Sequence, residues 1–185
     1  LDDITGSKGV DTINAGGGND SVRSGLGNDG VLGGTGNDDI DGGADQDVLD
    51  GEAGADLIRG GTGNDTIDGG TEDDRLFGDS GRDALFGGSG NDTMDGGGDA
   101  DTLEGGSGND TLDGGFSGGD RLSGGLGDDT LSGGIDADVL EGGSGRDVLI
   151  GGTGGDAMAG GADADVFRLL STADSANVIG QTDPI

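Results

Sequence analysis

Residues 60–68 read GGTGNDTID, and the very similar string GGTGNDDID occupies residues 33–41. Taken alone, a stretch rich in glycine and acidic residues is typical of a flexible linker. A linker, however, has no reason to keep glycine, aspartate and isoleucine at fixed distances from one another. The recurrence therefore indicates a repeated structural unit, and the same spacing extends over almost the whole chain.

An aspartate recurs every nine residues, with a single step of ten between Asp110 and Asp120. Eighteen positions follow this rule without exception, namely Asp11, Asp20, Asp29, Asp38, Asp47, Asp56, Asp65, Asp74, Asp83, Asp92, Asp101, Asp110, Asp120, Asp129, Asp138, Asp147, Asp156 and Asp165. The residue two positions later is always apolar, namely Ile13, Val22, Val31, Ile40, Leu49, Ile58, Ile67, Leu76, Leu85, Met94, Leu103, Leu112, Leu122, Leu131, Leu140, Leu149, Met158 and Phe167. Residues 6–168 thus contain eighteen units of the form G-G-x-G-x-D-x-U-x, where U is a large apolar residue at position eight.

The charge of the chain is extreme. Its 185 residues include 50 glycines and 39 acidic residues against 8 basic ones, which gives a net charge of −31. Low hydrophobicity combined with high net charge is typical of disordered chains, which cannot bury enough apolar surface to offset the entropy of folding. A random low-complexity chain would not keep an acid and an apolar residue in phase over eighteen units. We therefore expect disorder only in the metal-free state.

Several classes of function are excluded by what the sequence lacks. There is no cysteine and no histidine, which removes disulfides, thiolate and imidazole metal sites, and the commonest general base. The negative charge disfavours nucleic acid as a partner, and no apolar run is long enough to span a bilayer. Every repeat aspartate has the same neighbours, so no carboxylate pair is set apart for acid and base roles. The chain is therefore not expected to be an enzyme, although its parent protein could carry a separate catalytic domain.

The unit divides into a six-residue turn and a three-residue strand. Glycines at positions one, two and four allow backbone conformations closed to other residues. Positions seven to nine, such as Thr66-Ile67-Asp68, alternate polar, apolar and polar, which is strand periodicity. One inward residue per strand buries nothing unless a second sheet faces it. The sequence therefore predicts an all-β fold, a right-handed parallel β-roll of two short-stranded sheets with 18 residues per turn.

The nonapeptide resembles the RTX (repeats-in-toxin), or hemolysin-type, calcium-binding repeat along about nine tenths of the chain. This resemblance implies that calcium lies between stacked turns, held by the eighteen repeat aspartates and by backbone carbonyls of the glycine turns. The carbonyl donors at ideal positions two and four include Gly34, Gly36, Gly61, Gly63, Gly88, Gly90, Gly106, Gly108, Gly143 and Gly145. Stacking offers up to sixteen internal sites, and sixteen Ca²⁺ ions would nearly cancel the charge of −31.

Some units depart from the ideal. Position four is acidic at Asp45, Glu72, Asp99, Asp136 and Asp163, position two departs at Ser7, Glu52 and Asp79, and position one departs at Ala15 and Ser24. We expect altered calcium geometry or affinity there. The ten-residue unit 114–123 keeps Asp120 and Leu122 in phase, so the extra residue near Phe116 is expected to bulge from its turn.

The ends define the predicted domain organisation. Residues 1–5 match the last five positions of another unit, so the array is expected to be cut inside a repeat and to belong to a longer chain. Residues 1–168 are predicted to form the roll. Residues 169–185 are predicted to form a capping strand and tail, which resemble the ending of RTX modules in secreted proteases, lipases and alginate epimerases.

The resulting hypothesis is a calcium-binding module of an extracellular protein, exported by a type I system or held at the cell surface. It would fold on calcium after secretion and stabilise or help fold an attached catalytic or adhesive domain. The alternative is a segment of a large adhesin or an epimerase-like module that binds polysaccharide or ice. An anionic polysaccharide would be sought at Arg59, Arg75, Arg121, Arg146 and Arg168, which form no clear stripe, and the third-position threonines Thr35, Thr62, Thr71 and Thr153 form no continuous row.

Overall fold

A computed structural model describes residues 1–168 and the backbone of residues 177–178. These residues form twenty strands: β1 Asp3–Thr5, β2 Thr12–Gly17, β3 Ser21–Leu26, β4 Gly30–Thr35, β5 Asp39–Ala44, β6 Val48–Ala53, β7 Leu57–Thr62, β8 Thr66–Thr71, β9 Arg75–Ser80, β10 Ala84–Ser89, β11 Thr93–Asp95, β12 Thr102–Ser107, β13 Thr111–Asp113, β14 Arg121–Leu126, β15 Thr130–Ile135, β16 Val139–Ser144, β17 Val148–Thr153, β18 Ala157–Ala162, β19 Val166–Arg168 and β20 Asn177–Val178. Odd-numbered strands form one ten-stranded sheet, the first sheet, and even-numbered strands form the second sheet. Neighbouring strands pair in parallel, so the predicted all-β parallel solenoid of two sheets is confirmed.

The register confirms 18 residues per turn. Ile67 pairs with Leu85 in the second sheet, and Ile40 pairs with Ile58 in the first. Across the ten-residue unit Leu103 still pairs with Leu122, so the apolar positions stay aligned as predicted. A slip of one residue would turn every inward side chain outward, which is why the extra residue is kept out of the strands.

A thin apolar core lies between the two sheets. Sixteen side chains at position eight, from Val22 to Met158, are almost completely buried and form one continuous cluster. Ile4 and Ile13 at one end and Phe167 at the other are only partly buried against it. Each turn therefore contributes two inward residues, one from each sheet, at about 2 kcal/mol of burial apiece.

The strands are longer than predicted. Most run for six residues, from position seven to position three of the next unit, as in Thr66–Thr71. The prediction of a six-residue turn was wrong in this respect, since the first three positions of the predicted turn belong to the strand. They do so because similar turns lie on top of one another. Their backbones continue the parallel ladder into the glycine positions, for example between Gly88 and Gly106. Only the middle of each turn is left outside the sheets.

The carboxyl end is described in part. Strand β19 pairs with β17, and β20 adds a further strand beside β18. The remainder of the predicted capping strand and tail, residues 169–176 and 179–185, lies outside the described residues, so the domain boundary at residue 168 stays a prediction. Within the described residues there is no helix with the length and apolar character needed to cross a membrane.

Candidate metal sites between stacked turns

The repeat aspartates lie in two rows, one along each edge of the flattened solenoid. Each stands at position six, immediately before a strand, so aspartates of alternate units stack above one another. Sixteen of them, from Asp20 to Asp156, are buried, whereas Asp11 and Asp165 at the two ends are partly exposed. Burying a carboxylate is costly unless it is paired. Among the described residues, the only ion pair that includes a repeat aspartate joins Asp20 to the amino group of Leu1.

One oxygen of each carboxylate joins consecutive turns. The backbone N–H of Asp65 donates to Asp83 Oδ1 at 2.8 Å, and the backbone N–H of Asp83 donates in turn to Asp101 Oδ1 at 2.8 Å. The same bond recurs along both rows, from Asp2 and Asp20 to Asp147 and Asp165. This ladder was not anticipated from the sequence. It fixes each carboxylate against the turn that precedes it in the stack.

The other oxygen of each buried repeat carboxylate has no partner. In all sixteen buried repeat aspartates, Oδ2 is inaccessible to solvent and accepts no hydrogen bond. Orphaned buried polar atoms are rare in folded proteins, and a regular series of them marks places where an ion or water belongs. Every internal gap between turns therefore presents an anionic oxygen with free coordination capacity.

Position-one glycines make room for this oxygen. A β-carbon on Gly60 would lie 2.5 Å from Asp65 Oδ2 and 3.0 Å from the carbonyl oxygen of Gly78. Gly60 does not have a positive φ, so the interpretation that position-one glycines serve an unusual backbone conformation was wrong. They are needed because the aspartate carboxylate passes close to the backbone. Ala15 and Ser24 are the two exceptions at this position, and the buried Oγ of Ser24 donates to the carbonyl oxygen of Gly42 at 2.6 Å.

Apart from Gly9 in the first unit, the glycines at positions two and four do adopt positive φ, including all ten predicted carbonyl donors. Their carbonyl oxygens point along the stack towards the next turn. This direction is evident because a β-carbon built on the glycine one turn later would overlap with the carbonyl oxygen. This overlap is observed for the carbonyls of Gly36, Gly63, Gly88, Gly90, Gly106, Gly108 and Gly143. The position-one carbonyl points the opposite way, as Gly78 shows towards Gly60. Each gap is thus lined by carbonyls of both turns.

The acidic replacements keep the glycine conformation. The residues Asp45, Glu52, Glu72, Asp79, Asp99, Asp136 and Asp163 all have φ between 68° and 80°. At position four some of these side chains also reach the preceding turn, where Glu72 Oε2 accepts from the backbone N–H of Gly54 at 3.0 Å. Aspartate tolerates the left-handed region better than most residues because its short side chain can bond locally. The turn is therefore preserved at these departures.

Burial raises the pKa of most interior aspartates. It raises the pKa of Asp56, Asp74, Asp101 and Asp129 to about 7, with further increases from neighbouring carboxylates, while the hydrogen bond from the preceding turn acts in the opposite direction. A carboxyl group with a pKa above its usual range resists ionisation. Without metal, folding therefore makes it unfavourable for these buried aspartates to be ionised at neutral pH.

The metal-free roll is expected to become more stable as the pH falls from 7.5 to 5.5. Burial raises the pKa values of most interior repeat aspartates above the ordinary 3.8, up to about 7 for Asp74. The folded state therefore binds more protons, and its stability is lost as pH rises through this window. Far-UV circular dichroism of metal-stripped protein should show more β-structure at pH 5.5. Loss of signal at pH 5.5 in a sample that stays monomeric would contradict the expectation.

The donor set fits calcium. Within the described residues no group of three or more acidic side chains converges on one point, so the gaps combine few carboxylates with many backbone carbonyls. Calcium takes six to eight oxygen ligands in a flexible shell and accepts carbonyl oxygens readily. Magnesium demands a smaller and more rigid octahedral shell, and zinc prefers nitrogen and sulfur. The identity of individual ligands and the number of sites remain predictions.

The features sought for polysaccharide or ice binding are dispersed. Arg59 contacts Asp39 at 3.4 Å and Arg146 contacts Asp128 at 2.6 Å, so both guanidinium groups already have carboxylate partners. The third-position threonines Thr35 and Thr71 lie in the second sheet, whereas Thr62 and Thr153 lie in the first. Neither set forms a continuous surface, and no observation favours the alternative function.

Comparison with protein families agrees with this geometry. The model of the RTX calcium-binding nonapeptide repeat (4 copies) matches eight segments, most of which overlap, namely residues 2–31, 32–67, 50–85, 59–94, 86–116, 95–131, 114–149 and 132–167. A comparison with curated protein sequences gave no match. The family match extends over nearly all of the described residues and coincides with the stacked turns and their buried carboxylates. The chain therefore belongs to the family of RTX calcium-binding nonapeptide repeats.

Proposed function

We propose that this chain is a folding module that is extended without calcium and forms the β-roll when calcium binds. RTX repeats bind calcium and are typical of secreted proteins, and their β-roll modules are not catalytic. The observation that carries the proposal is the series of sixteen buried Oδ2 atoms without a partner. No arginine or lysine side chain of the described residues pairs with the repeat aspartates. The fold therefore needs an external cation.

The residues of the gaps would hold that cation. Carbonyls at positions two and four of one turn and at position one of the next would surround it, together with the carboxylate fixed by the ladder. Bound calcium would supply the positive charge that allows the aspartates to stay ionised while buried. Because the gaps exist only when turns stack, metal-binding free energy becomes folding free energy. The unfolded chain suits export, and the folded roll would stabilise an attached domain outside the cell.

A calcium titration tests this proposal. Far-UV circular dichroism and hydrodynamic radius are measured on the metal-stripped chain at neutral pH as calcium rises to the millimolar range. We expect an expanded chain that converts cooperatively to a compact β-structure, and no such conversion with magnesium. An unchanged spectrum and radius on addition of calcium would refute the proposal.

A further inference from the structure

The periodicity of the roll breaks at one place in the described residues. Phe116 is the extra residue of the ten-residue unit and is 78% exposed. Beside it, β11 and β13 are only three residues long, and the ladder continues through isolated bridges from Ser80 to Gly98 and from Gly98 to Ser117. In repeat proteins, insertions map to loops on one face, often the face that binds a partner. The surface at this break therefore differs from that of the regular turns.

A groove of about 290 Å³ opens at this break. Two phenyl rings, those of Phe77 and Phe116, line it together with the carboxylates of Asp79 and Asp95. Gly97 and Gly98 contribute only backbone. A side chain at Gly97 would overlap with the carbonyl of Asp79, so this part of the groove must stay free of side chains. The groove thus combines apolar faces, negative charge and an open floor.

The charged residues that line the groove are all acidic. Asp95 pairs across the strands with Asp113, which adds a third carboxylate nearby, and no basic residue lines the groove. On its other side Phe77 already contacts a cation, because the Arg59 guanidinium carbon lies 5.6 Å from the ring centroid. Aromatic faces attract cations through the ring quadrupole, and carboxylates at the rim add direct pairing. An anionic ligand would be repelled here.

We propose that this groove binds a guanidinium or ammonium group presented by a basic peptide segment of a partner protein. The alkyl part of an arginine or lysine side chain would lie between Phe77 and Phe116, and its charged end would reach Asp79 or Asp95. The volume suits one such side chain and not a folded element. The side chains of this groove are not repeat aspartates, although Asp79 and Gly97 also border a gap between turns, and the proposal goes beyond calcium-dependent folding.

Fluorine NMR on calcium-loaded protein labelled with fluorophenylalanine provides a direct test. The chain has 4 phenylalanines and no tryptophan or tyrosine, so each ring gives a separable signal. Titration with N-acetyl-arginine amide should shift the signals of Phe77 and Phe116 and leave those of Phe86 and Phe167 in place. The neutral citrulline analogue, which has nearly the same shape, should shift none.

Matched variants distinguish binding in the groove from a general attraction of cations to the acidic surface. Phe116→Ser and Asp95→Asn should each weaken arginine-amide binding by roughly threefold, the range of an exposed cation–π or surface ion-pair contact. Phe86→Ser and Asp68→Asn, which change the same residue types on the second sheet, should leave it unchanged. Circular dichroism in calcium checks that each variant is folded.

Several outcomes would overturn the proposal. One is equal shifts with citrulline, and another is a uniform shift of all four signals. A third is a shift of Phe77 and Phe116 with methyl glucoside but not with arginine amide, which would assign the groove to a neutral sugar. A fourth is competition between arginine amide and additional calcium, which would make the groove another metal site. No shift at any accessible concentration would also refute it.

Discussion

Replacing Asp74 by asparagine is expected to lower the free energy of unfolding of the calcium-loaded protein by roughly 1.5–3 kcal/mol, the range for losing an interaction with a charged group. Asparagine is nearly isosteric and can still accept, through its side-chain oxygen, the N–H of Asp56 that now bonds Asp74 Oδ1 at 2.8 Å. The orphaned Oδ2 is replaced by an uncharged amide NH2 group, which cannot bind a cation. Urea unfolding in millimolar calcium measures the effect.

The sign of this result is decisive. Burial raises the pKa of Asp74 to about 7, so in a roll without metal the neutral asparagine would be the better residue and would stabilise the fold. If Asp74 is a calcium ligand, the same change must destabilise it. Stabilisation in millimolar calcium would therefore contradict the assignment of the repeat aspartates.

Asp73 provides the control for Asp74. It is the adjacent residue, it carries the same charge, and it is exposed on the outside of the turn. Its Oδ1 accepts from the backbone N–H of Asn91 at 2.7 Å, a bond that an asparagine can also make. Position five is asparagine in several other units, among them Asn64 and Asn91. Asp73→Asn should change the free energy of unfolding by less than about 0.5 kcal/mol, as expected of surface positions.

Replacing Gly36 by alanine is expected to destabilise the roll by roughly 1–3 kcal/mol, the cost of holding a side chain in a sparsely populated backbone region. Gly36 has a φ of 121°, and a β-carbon there would overlap with the position-four carbonyl oxygen of Gly18 in the turn below. The two turns would have to separate. We also expect the variant to bind less calcium than the wild type, measured by equilibrium dialysis.

Gly30 is the matched control for Gly36. It lies at a strand position, has no positive φ, and a β-carbon built on it meets no atom within 4 Å. Gly30→Ala should leave the protein equally stable or make it more stable by about 0.4–1 kcal/mol, because alanine reduces the entropy of the unfolded chain. Equal destabilisation by both substitutions would show that the position-four glycine has no special part in the turn.

The local features of the fold could be predicted from the sequence because the unit is short and its period is constant. The phase of the repeat sufficed to point Ile67 inward, to place Asp65 in the turn two residues before it, and to pair strands 18 residues apart. The ten-residue unit could be kept in phase by the same argument, since Leu112 and Leu122 must both face inward. The net charge of −31 indicates only that cations are needed, whereas the family resemblance identified the cation as calcium.

Contacts between turns needed the tertiary structure. The bond from the Asp65 N–H to Asp83 Oδ1, the collision that excludes a side chain at Gly60, and the extension of the strands into the glycines all join residues that meet only when turns stack. The sequence period is compatible with many small differences in how one turn is positioned over the next. These contacts depend on the position that the stacked turns adopt.

The sequence by itself determined the repeat, the inward and outward faces and the acidic positions, because each of these follows from the order of residues within one unit. Only the tertiary structure decided how the units meet. It places the carboxylates in buried gaps with one oxygen free, and it brings Phe77 of β9 and Phe116, which follows β13, to one groove. The reason is that stacking sets distances between units that no single unit contains.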